Sequence, residues 1–425
     1  MKIFLLSFFI FIYSFISNAQ LSIYCYNGNI HSHTDYSGGV GVPLNAFNYA
    51  NNSSDLDFLA VTDHLESIYY SSYEWDSIKI SANLVSVNNQ FIGMAGYEWT
   101  SPTYNHVNIF NTSGMVSPLN VNNWDAFLAD LLTQPNAIAQ FNHPGLIGSN
   151  NWNNFAYKTA AFDSIFRLIE VKKFSDDVYY QMALNNGWHV SPTNNQDNHQ
   201  WNWGTLDDKR TGIWAGSLSY YSIIDALQKR RTFSTEDKNA SIRMEYNGHF
   251  MGSFASTGTN SAIRIMLSDG DGEFWNEVNV VGSNNNTIYS SSFSQSLVDT
   301  VLHLNTLGLT WIFIRAKQMD GDYVWSAPVF LSPASSIEAL SSMKKELKIF
   351  PNPVHDFFYL SIENGNFKES KIQIYDVTGK LLHSMNVDNL NTGFKINVSF
   401  LPQGYYLLTL TSPDKQYSSG FSIVK

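Results

Sequence analysis

The chain has 425 residues, of which 44% are hydrophobic, 15% aromatic and 14% charged, a composition that excludes a disordered chain and suggests roughly two to four domains. Acidic residues outnumber basic ones by 36 to 25, so a broad basic surface for nucleic acid or anionic membranes is not expected. This composition does not exclude a local basic pocket. The single cysteine, Cys25, excludes an intramolecular disulfide and a thiolate cage for zinc.

The first 19 residues have the pattern of a secretory signal peptide. Met1-Lys2 is a short positive start, residues 3–16 are almost continuously apolar, and Ala19 ends a run of small residues. Cleavage is therefore expected between Ala19 and Gln20. The apolar run is short for a membrane span and no later stretch is longer, so no transmembrane segment is predicted.

Residues 20–235 alternate between segments typical of strands and of helices. This alternation predicts an α/β layer or barrel with mostly parallel strands. The predicted strands are Leu21–His31, Asp57–Thr62, Phe91–Glu98, His106–Asn111, Ala137–Asn142, Ile165–Val171 and Trp188–Pro192. The predicted helices include Val42–Ala50, Asn123–Leu132, Asp176–Asn185 and Tyr221–Arg231.

The pattern changes after this region. Residues 236–333 contain short strands separated by Gly, Asn and Asp turns, without a helix of convincing length, which predicts a small β-sandwich. Residues 334–346 are a short linker that begins Ser-rich. Residues 347–425 again consist of strands and turns, so a second small all-β sandwich domain is expected there.

Histidines and acids occur together at the expected strand ends. They are His31, His33, His64, Glu98, His106, His143, Asp197 and His199. In extended backbone, residues two apart point to the same side, so the pairs His31/His33 and Asp197/His199 can each aim two ligands into one cavity. A single strand-end histidine is more often a surface or hydrogen-bonded residue, but so many together predict a metal site. Nitrogen and oxygen ligands of this kind suit zinc, manganese or iron.

The order of these motifs resembles the polymerase and histidinol phosphatase (PHP) family over about residues 26–235. The matching residues are His31-Ser-His33-Thr-Asp-Tyr-Ser-Gly, Asp57 to His64, Gly96-Tyr-Glu98, His106, His143-Pro144 and Asp197-Asn-His199. The resemblance implies a distorted (β/α)7 TIM-like barrel that holds two or three divalent metal ions. It therefore also implies a metal-dependent hydrolase.

The resemblance further implies how the ligands divide among the ions. The first group is His31, His33, Glu98 and Asp197, the second is Glu98, His106 and His143, and the third is His64 and His199. Glu98 would bridge two ions. Many family members carry another histidine eight positions after the first, where this chain has Gly39, so occupancy of the third site is left open.

Two further resemblances concern the β-rich regions. Residues 226–233, 248–252 and 325–328 resemble the companion domain of the carbaryl-hydrolase-like branch of the PHP family. Residues 349–353, 374–380 and 401–406 resemble a type IX secretion sorting domain, with a generic adhesive β-sandwich as the alternative. The sorting domain implies the type IX secretion machinery as a partner, a secreted or cell-surface location, and removal of the tail.

Two classes of function remain open. The leading hypothesis is an exported hydrolase of a small-molecule substrate, with a hydroxide held between metal ions as nucleophile, since ligation lowers the pKa of water. The PHP resemblance favours phosphoesters, whereas the branch resemblance admits ester, amide or carbamate bonds. The competing hypothesis is a surface binding protein whose metal site is structural. No nucleic-acid partner is expected in either case.

Individual roles follow from position. The candidate catalytic residues are Asp63, Glu98 and Asp197. Asp63 adjoins His64, so it would orient a ligand or relay a proton, or else support the structure. Glu170, at the end of a strand, either points into the cavity toward substrate or is buried as a paired acid. Arg210 and Arg231 are candidate substrate-binding groups for an anion, with surface or helix-end roles as the alternative.

Overall fold

The computed structural model describes residues 23–333 except 72, 135 and 157, and residues 347–424 except 351, 363–366, 377–379, 391–393 and 412–415. The chain divides into two compact units, with the boundary between Pro333 and Ala334. The predicted signal peptide and the predicted linker lie outside the described residues. Within the described ranges, none of the helices has the length and apolar character needed to cross a membrane.

The first unit follows the predicted alternation of elements in residues 20–235. Its strands there are β1 (Tyr24–Asn29), β2 (Phe58–Val61), β3 (Ile92–Trp99), β4 (Val107–Phe110), β5 (Ile138–Phe141), β6 (Phe166–Glu170), β7 (Ser191–Thr193), β8 (Arg210–Ala215) and β9 (Thr232–Thr235). Its helices are α1 (Pro43–Ser53), α2 (Leu65–Ile68), α3 (Glu74–Val85), α4 (Trp124–Leu131), α5 (Asn151–Phe155), α6 (Ala160–Asp163), α7 (Asp177–Asn185) and α8 (Tyr220–Gln228). Every predicted strand and helix of this region overlaps one of these elements.

Local sequence explains why the chain turns into α1 soon after the first histidines. Pro43 occupies the first helical position, where its fixed φ suits a helix and its missing N–H is not needed. Ala46, Phe47 and Ala50 then form a buried face at helical spacing. This packing holds α1 against the sheet, and the segment between β1 and α1 is left to carry side chains of the site.

The strands form a large mixed sheet. β1, β2 and β3 are parallel neighbours, and so are β5, β6 and β7. β4 runs antiparallel between β3 and β5, and β8 runs antiparallel beside β1, so the prediction of mostly parallel strands is correct only in part. The connection from β3 to β4 spans residues 100–106, which is shorter than the crossover of about a dozen residues that parallel neighbours require.

The two ends of this ladder lie side by side. Thr232 Oγ1 in β9 donates to the carbonyl of Pro192 in β7 (2.7 Å), and Thr211 Oγ1 in β8 donates to the carbonyl of Asn194 just after β7 (3.0 Å). Residues from several strands and from α8 share one apolar cluster: Phe58, Ile92, Phe110, Ile138, Leu168, Ile213, Ile223 and Leu227. The strands thus share a core, and full closure into a (β/α)7 barrel stays a prediction.

The remainder of the first unit is β-rich. Its strands are β10 (Ser241–Tyr246), β11 (His249–Phe250), β12 (Phe254–Ser256), β13 (Ser261–Ser268), β14 (Trp275–Gly282), β15 (Asn286–Phe293), β16 (Val298–Leu304), β17 (Trp311–Gln318), β18 (Tyr323–Ser326) and β19 (Val329–Ser332). β9 pairs with β18, so the main sheet continues into this region. A second sheet has the order β11-β10-β13-β16, and an apolar core joins the strands of both sheets, as expected of a sandwich. The boundary at residue 235 stays a prediction.

The second unit contains two further sheets. Its strands are β20 (Leu347–Phe350), β21 (Phe357–Ile362), β22 (Phe367–Asp376), β23 (Leu381–Leu390), β24 (Phe394–Asn397), β25 (Gly404–Thr411) and β26 (Gln416–Ile423). One sheet has the order β20-β21-β24 and the other β23-β22-β25-β26. Alternating side chains such as Phe358, Leu360, Ile372 and Ile374 are buried in a core of their own. The described part of this unit is therefore an all-β domain, as the sequence predicts.

Candidate metal centre

The strand ends bring the predicted ligands to one edge of the sheet. His31 and His33 follow β1, His64 follows β2, Glu98 lies near the end of β3, and His143 follows β5. His106 comes directly before β4, and because β4 is antiparallel, its start lies at the same edge as the carboxyl ends of its neighbours. Asp197 and His199 follow β7. The mixed sheet therefore gathers all eight residues.

Backbone hydrogen bonds align the two i, i+2 pairs. The amide of His33 donates to the carbonyl of Asn198 (2.9 Å), and the amide of Asp197 donates to the carbonyl of His31 (3.0 Å). A bridge also joins Ser32 to Asn198 in parallel. The segments 31–33 and 197–199 thus form a short extended pair, and their side chains on one side face the same cavity.

Glu98 lies at the centre of the cluster. Its carboxylate is buried, and its oxygens lie 3.0 to 3.5 Å from ring nitrogens of His31, His33, His64, His106 and His143. Asn142 Nδ2 donates to Glu98 Oε1 at 2.7 Å, which fixes the orientation of the carboxylate. One carboxylate among five imidazoles is the arrangement expected for a ligand shared between ions.

Asp197 forms a second acidic contact with the same histidines. Its Oδ1 lies 3.2 Å from Nε2 of both His31 and His33, and 3.6 Å from Nε2 of His199. The ring of His199 stacks on that of His33 at 4.1 Å between centroids. The Nε2 atoms of His31 and His33 are themselves only 3.3 Å apart, so several potential ligand atoms crowd into one small volume.

Within this cluster, four sets of three residues place potential ligand atoms within 4.8 Å of one another. They are His31/His33/Glu98, His31/His143/Asp197, Glu98/His106/His143 and His33/His64/His199. The second group implied by the PHP resemblance coincides with one of these sets. The implied first group is divided between two sets, and the implied third group gains His33. The division of ligands among ions stays a proposal.

Gly39 lies in a tight turn. A Cβ at Gly39 would lie 2.8 Å from the carbonyl oxygen of Thr34, so a side chain would require the backbone to move. The amide of Gly39 donates to that same carbonyl at 2.8 Å. The turn is therefore closed too tightly for a larger residue, and His33 lies beside His64 and His199 instead.

Glu170 acts through His31. Its Oε1 lies 2.9 Å from His31 Nδ1, and its Oε2 accepts a hydrogen bond from the amide of His143 (2.7 Å). Asn195 Nδ2 also donates to Oε1 (3.0 Å), and the side chain is fully buried. Glu170 is thus buried as a paired acid, the alternative that the sequence left open, and its contact with His31 suits a group that orients this ring. Its role toward substrate stays a prediction.

Asp63 acts through His33 in the same way. Its oxygens accept hydrogen bonds from the amide (2.7 Å) and the hydroxyl (2.6 Å) of Thr34 and from the hydroxyl of Ser37. Ser37 Oγ lies 3.0 Å from His33 Nδ1. Because the Ser37 hydrogen is directed to Asp63, the ring nitrogen of His33 donates to Ser37. Asp63 is fully buried, which agrees with a group that orients His33, and its catalytic role stays a prediction.

The two predicted arginines lie elsewhere. Arg210 is buried, and its guanidinium donates to Asp55 Oδ1 (2.7 Å) and to the carbonyl of Gly204 (2.9 Å). Arg231 lies 3.8 Å from Asp225 and over the ring of Phe250. Among the described contacts, neither arginine touches the histidine cluster. These contacts agree with the structural alternative that the sequence left open, and the role of both arginines in substrate binding stays a prediction.

Lys172 is the residue that sequence reasoning missed. Its Nζ lies 3.7 Å from Glu170 Oε2 and 3.9 Å from Asp197 Oδ2, beside the cluster. The signal was present, because Lys172 stands two positions after Glu170 at the end of β6, with the same spacing as His31 and His33. The charges of Glu170 and Asp197 raise the pKa of Lys172, although burial by itself would lower it.

Electrostatics make the cluster a strong attractor of positive charge. Burial by itself would lower the pKa of His31, but the charges of Asp197, Glu98 and Glu170 raise it well above its usual value. Burial would raise the pKa of Glu98 and of Asp197, yet His31 lowers both well below the usual range. Three carboxylates thus stay ionised beside the positive charges of His31 and Lys172, which leaves an excess of negative charge.

The donor set fits divalent metal ions. Imidazole nitrogens and carboxylate oxygens alternate within short distances, and Nδ1 of His143 is buried without a hydrogen-bond partner among the described residues. Buried polar atoms of proteins are normally paired, and a cation would satisfy this one or reorient its ring. The excess of buried negative charge also favours a cation, because buried charges without a partner are unfavourable. The chemistry of the residues thus agrees with a metal centre.

Comparison with known families identifies the C-terminal segment. Residues 348–424 match the family model of the secretion system C-terminal sorting domain. The type IX sorting domain expected from the sequence is confirmed, and it indicates export to the cell surface or the medium. No curated protein matches the chain.

The chain has distant similarities to solved structures. The chain is similar to a two-domain protein containing a predicted PHP-like metal-dependent phosphoesterase from Bacteroides vulgatus, with 15% identity, a TM-score of 0.42, and coverage of 72% of this chain and 95% of that one. It is also similar to the lesion-specific endonuclease EndoQ from Pyrococcus furiosus, with 13% identity, a TM-score of 0.35, and coverage of 48% and 56%. These values are too low to assign an activity. Neither protein is a carbaryl hydrolase, so that branch stays a prediction.

Proposed function

We propose that the protein is an exported metal-dependent hydrolase of the PHP type that cleaves phosphoesters of a small molecule. The observation that supports this most directly is the carboxylate of Glu98, buried among ring nitrogens of five histidines. A structural metal site needs only four ligands in a closed set. Eight potential ligands, several of them half-exposed, are more than a structural site requires and leave room for a substrate.

The proposal assigns two or three ions to the cluster, with zinc, manganese or iron as candidates. His31, His33, Glu98 and Asp197 would hold one ion, and Glu98, His106 and His143 a second one. His64 and His199 are available for a third. When bound, such ions lower the pKa of water toward neutrality and stabilise negative charge that develops on the substrate.

The residues of the site divide into those that hold the histidine rings in place and those that face the substrate. Glu170 and the pair of Asp63 and Ser37 fix the rings of His31 and His33, so that the Nε2 atoms of both point at Asp197. His199 is 34% exposed and Asp197 28%, whereas His31 and His33 are fully buried. The substrate therefore approaches from the side of Asp197 and His199.

A phosphoester is favoured over an ester, amide or carbamate because of charge. Lys172 lies at the edge of the cluster, next to Asp197, and a permanent cation there suits an anionic substrate better than a neutral one. Neutral esters, amides and carbamates remain the alternative class.

The proposal also includes the fold of this region: strands β1 to β9 would close as a distorted (β/α)7 barrel.

The test combines metal analysis with a substrate panel. Purified protein is analysed for zinc, manganese and iron, and is assayed with aryl phosphates, phosphodiesters, aryl esters and carbamates, each with added zinc or manganese. We expect at least two ions per chain and the highest kcat/KM for a phosphoester. Less than one ion per chain, with no hydrolysis of any compound, would instead indicate a surface binding protein. Preferred cleavage of a carbamate would contradict the phosphoester assignment alone.

The proposal for export has two parts. A signal peptide over residues 1–19 would direct the chain to the periplasm, and the C-terminal sorting domain would then direct it through the type IX machinery. Removal of that domain would release the catalytic unit or leave it attached at the cell surface.

A further inference from the structure

A cavity of about 460 Å³ adjoins the metal cluster. Its wall is built by the segment after β5 (residues 143–146), by the segment between β6 and α7 with the start of that helix (residues 172–179), and by Lys209. His143 belongs both to this wall and to two of the four ligand sets. The cavity is therefore continuous with the proposed active site, and its volume is in the range of small-molecule sites.

The cavity is basic although the chain is acidic. Lys172, Lys173 and Lys209 line it, in a protein with a formal net charge of −11. The only carboxylate in the wall belongs to Asp176, and it is occupied within its own loop, where it accepts hydrogen bonds from the amide of Lys172 (3.0 Å) and the hydroxyl of Ser175 (3.1 Å). Three ammonium groups thus converge where the overall composition predicts the opposite sign.

The three lysines differ in how far their charges are neutralised. Lys172 forms ion pairs with Glu170 and Asp197 and also lines the cavity, so it lies between the cluster and the cavity. Lys209 lies 3.1 Å from Asp207 and keeps about a third of its side chain exposed. Lys173 is exposed and, among the described residues, forms no salt bridge. The charge of Lys173 acts on the nearby carboxylate of Asp176, yet its ammonium group is exposed and therefore accessible to a ligand.

Specific contacts also fix the shape of the cavity wall. Gly145 has a positive φ of 90°, and a Cβ there would lie 2.6 Å from the ring of Tyr179. The amide of Gly145 donates to Asn151 Oδ1 at 2.7 Å, which anchors the segment after His143 to α5. These contacts keep the segment 143–146 close to Tyr179 and fix its position in the wall of the cavity.

We propose that this lysine cavity binds a second anionic group of the substrate, at a distance from the bond that is cleaved. The inference rests on the proposed function and deepens it: the preferred substrate is a small molecule with two anionic groups, a phosphoester at the metal centre and a further phosphoryl or carboxylate group in the cavity. Ammonium groups attract either anion as point charges, and the metal centre alone does not distinguish a compound with one anion from a compound with two.

The test compares two ligands that cannot be hydrolysed. Propylphosphonate and propane-1,3-bisphosphonate have the same carbon chain and no ester bond, and their binding to the full-length protein is measured by calorimetry. We expect the bisphosphonate to bind at least about tenfold more tightly, the size that two exposed charge pairs would supply. The double variant Lys173→Met/Lys209→Met should lose this difference, whereas Lys173→Arg/Lys209→Arg should retain it.

Controls separate the cavity from general electrostatics and from folding. Lys79→Met removes an exposed lysine of α3 that pairs with Asp76, and it should leave the ratio of the two affinities as in the wild type. Equal affinities in the wild-type protein, or an unchanged ratio in the Met double variant, would overturn the proposal. A third ligand, 4-phosphonobutanoate, tests whether a carboxylate replaces the second phosphonate. Hydrolysis of simple aryl phosphates, with no preference for compounds that have two anionic groups, would overturn the proposal for the cavity and leave the proposed function intact.

Discussion

Glu170 Oε1 lies 2.9 Å from Nδ1 of His31, although 139 residues separate them in the chain and both side chains are fully buried. The contact leaves Nε2 of His31 to face Glu98 and Asp197. Burial would raise the pKa of Glu170, but Lys172 and His31 lower it to about 2, so the group is ionised at neutral pH. The negative charge of Glu170 thus orients His31, although Glu170 is not itself one of the eight potential metal ligands.

Replacement of Glu170 tests this charge. In Glu170→Gln the amide oxygen still accepts the hydrogen bond from His31, but the negative charge is lost. We expect metal affinity to fall about 10- to 100-fold, as is usual when a group that supports a ligand is removed. Competition with a fluorescent chelator measures it. Glu277→Gln on β14 is the matched control, and equal affinities of the two variants would contradict the role of Glu170.

Removal of the charge of Glu98 tests the shared ligand. Glu98→Gln keeps the shape of the side chain, so the fold should be retained and the melting curve should stay near that of Glu277→Gln. Since Glu98 contacts five histidines, we expect bound metal to fall and turnover to be abolished. Elemental analysis and the aryl phosphate assay measure both. A variant with full metal content and full activity would refute the assignment.

Asp197 and His199 are expected to differ in importance. Asp197 contacts both buried histidines, whereas His199 belongs to the set whose occupancy is open. Asp197→Asn should therefore cost most of the metal and of kcat, and His199→Asn should cost less. If His199→Asn proves more damaging while its melting curve is unchanged, the third site is occupied and needed for catalysis.

Glu236 is expected to make stability depend on pH. Burial raises its pKa to about 7, with a further contribution from the charge of Asp322, whereas the amide of Tyr323 acts in the opposite direction. The folded state thus holds this proton more tightly than the unfolded state, so stability is lost as pH rises from about 4.5 toward 7.

The corresponding variant is Glu236→Gln. At pH 8 we expect its free energy of unfolding to exceed that of the wild type by about 1 kcal/mol, a value reduced for partial exposure of the side chain. The gain should be smaller at pH 5, where the folded wild type is protonated. Denaturant titrations at both pH values measure it, with Glu277→Gln as control. A gain that is the same at both pH values would show that charge is not the cause.

The mature ends of the protein test the export route. We expect the secreted product to begin at Gln20 and to lack most of residues 347–425, because a sorting domain is of no use after passage. Intact-mass and peptide mass spectrometry of culture medium and cell surface determine both ends. An intact C-terminus on secreted protein would contradict removal of the tail.

The sequence determined the parts of this protein that depend on local pattern. Alternating apolar periodicity predicted the strands and helices of residues 20–235. A spacing of two in extended backbone predicted that the side chains within each of the pairs His31/His33 and Asp197/His199 point to the same side. The C-terminal motifs were sufficient for the sorting domain. These features need only a few neighbouring residues, so they are readable without coordinates.

Only the tertiary structure decided which distant side chains meet. Glu170 contacts His31, Arg210 contacts Asp55, and Lys172 lies beside Asp197. The antiparallel direction of β4 followed from a short connection, and it placed His106 at the shared edge from the start of its strand rather than from its end. Such contacts join residues 8 to 155 positions apart. They depend on how the sheet curves and on which rotamers the packed core leaves open, and a linear pattern contains neither.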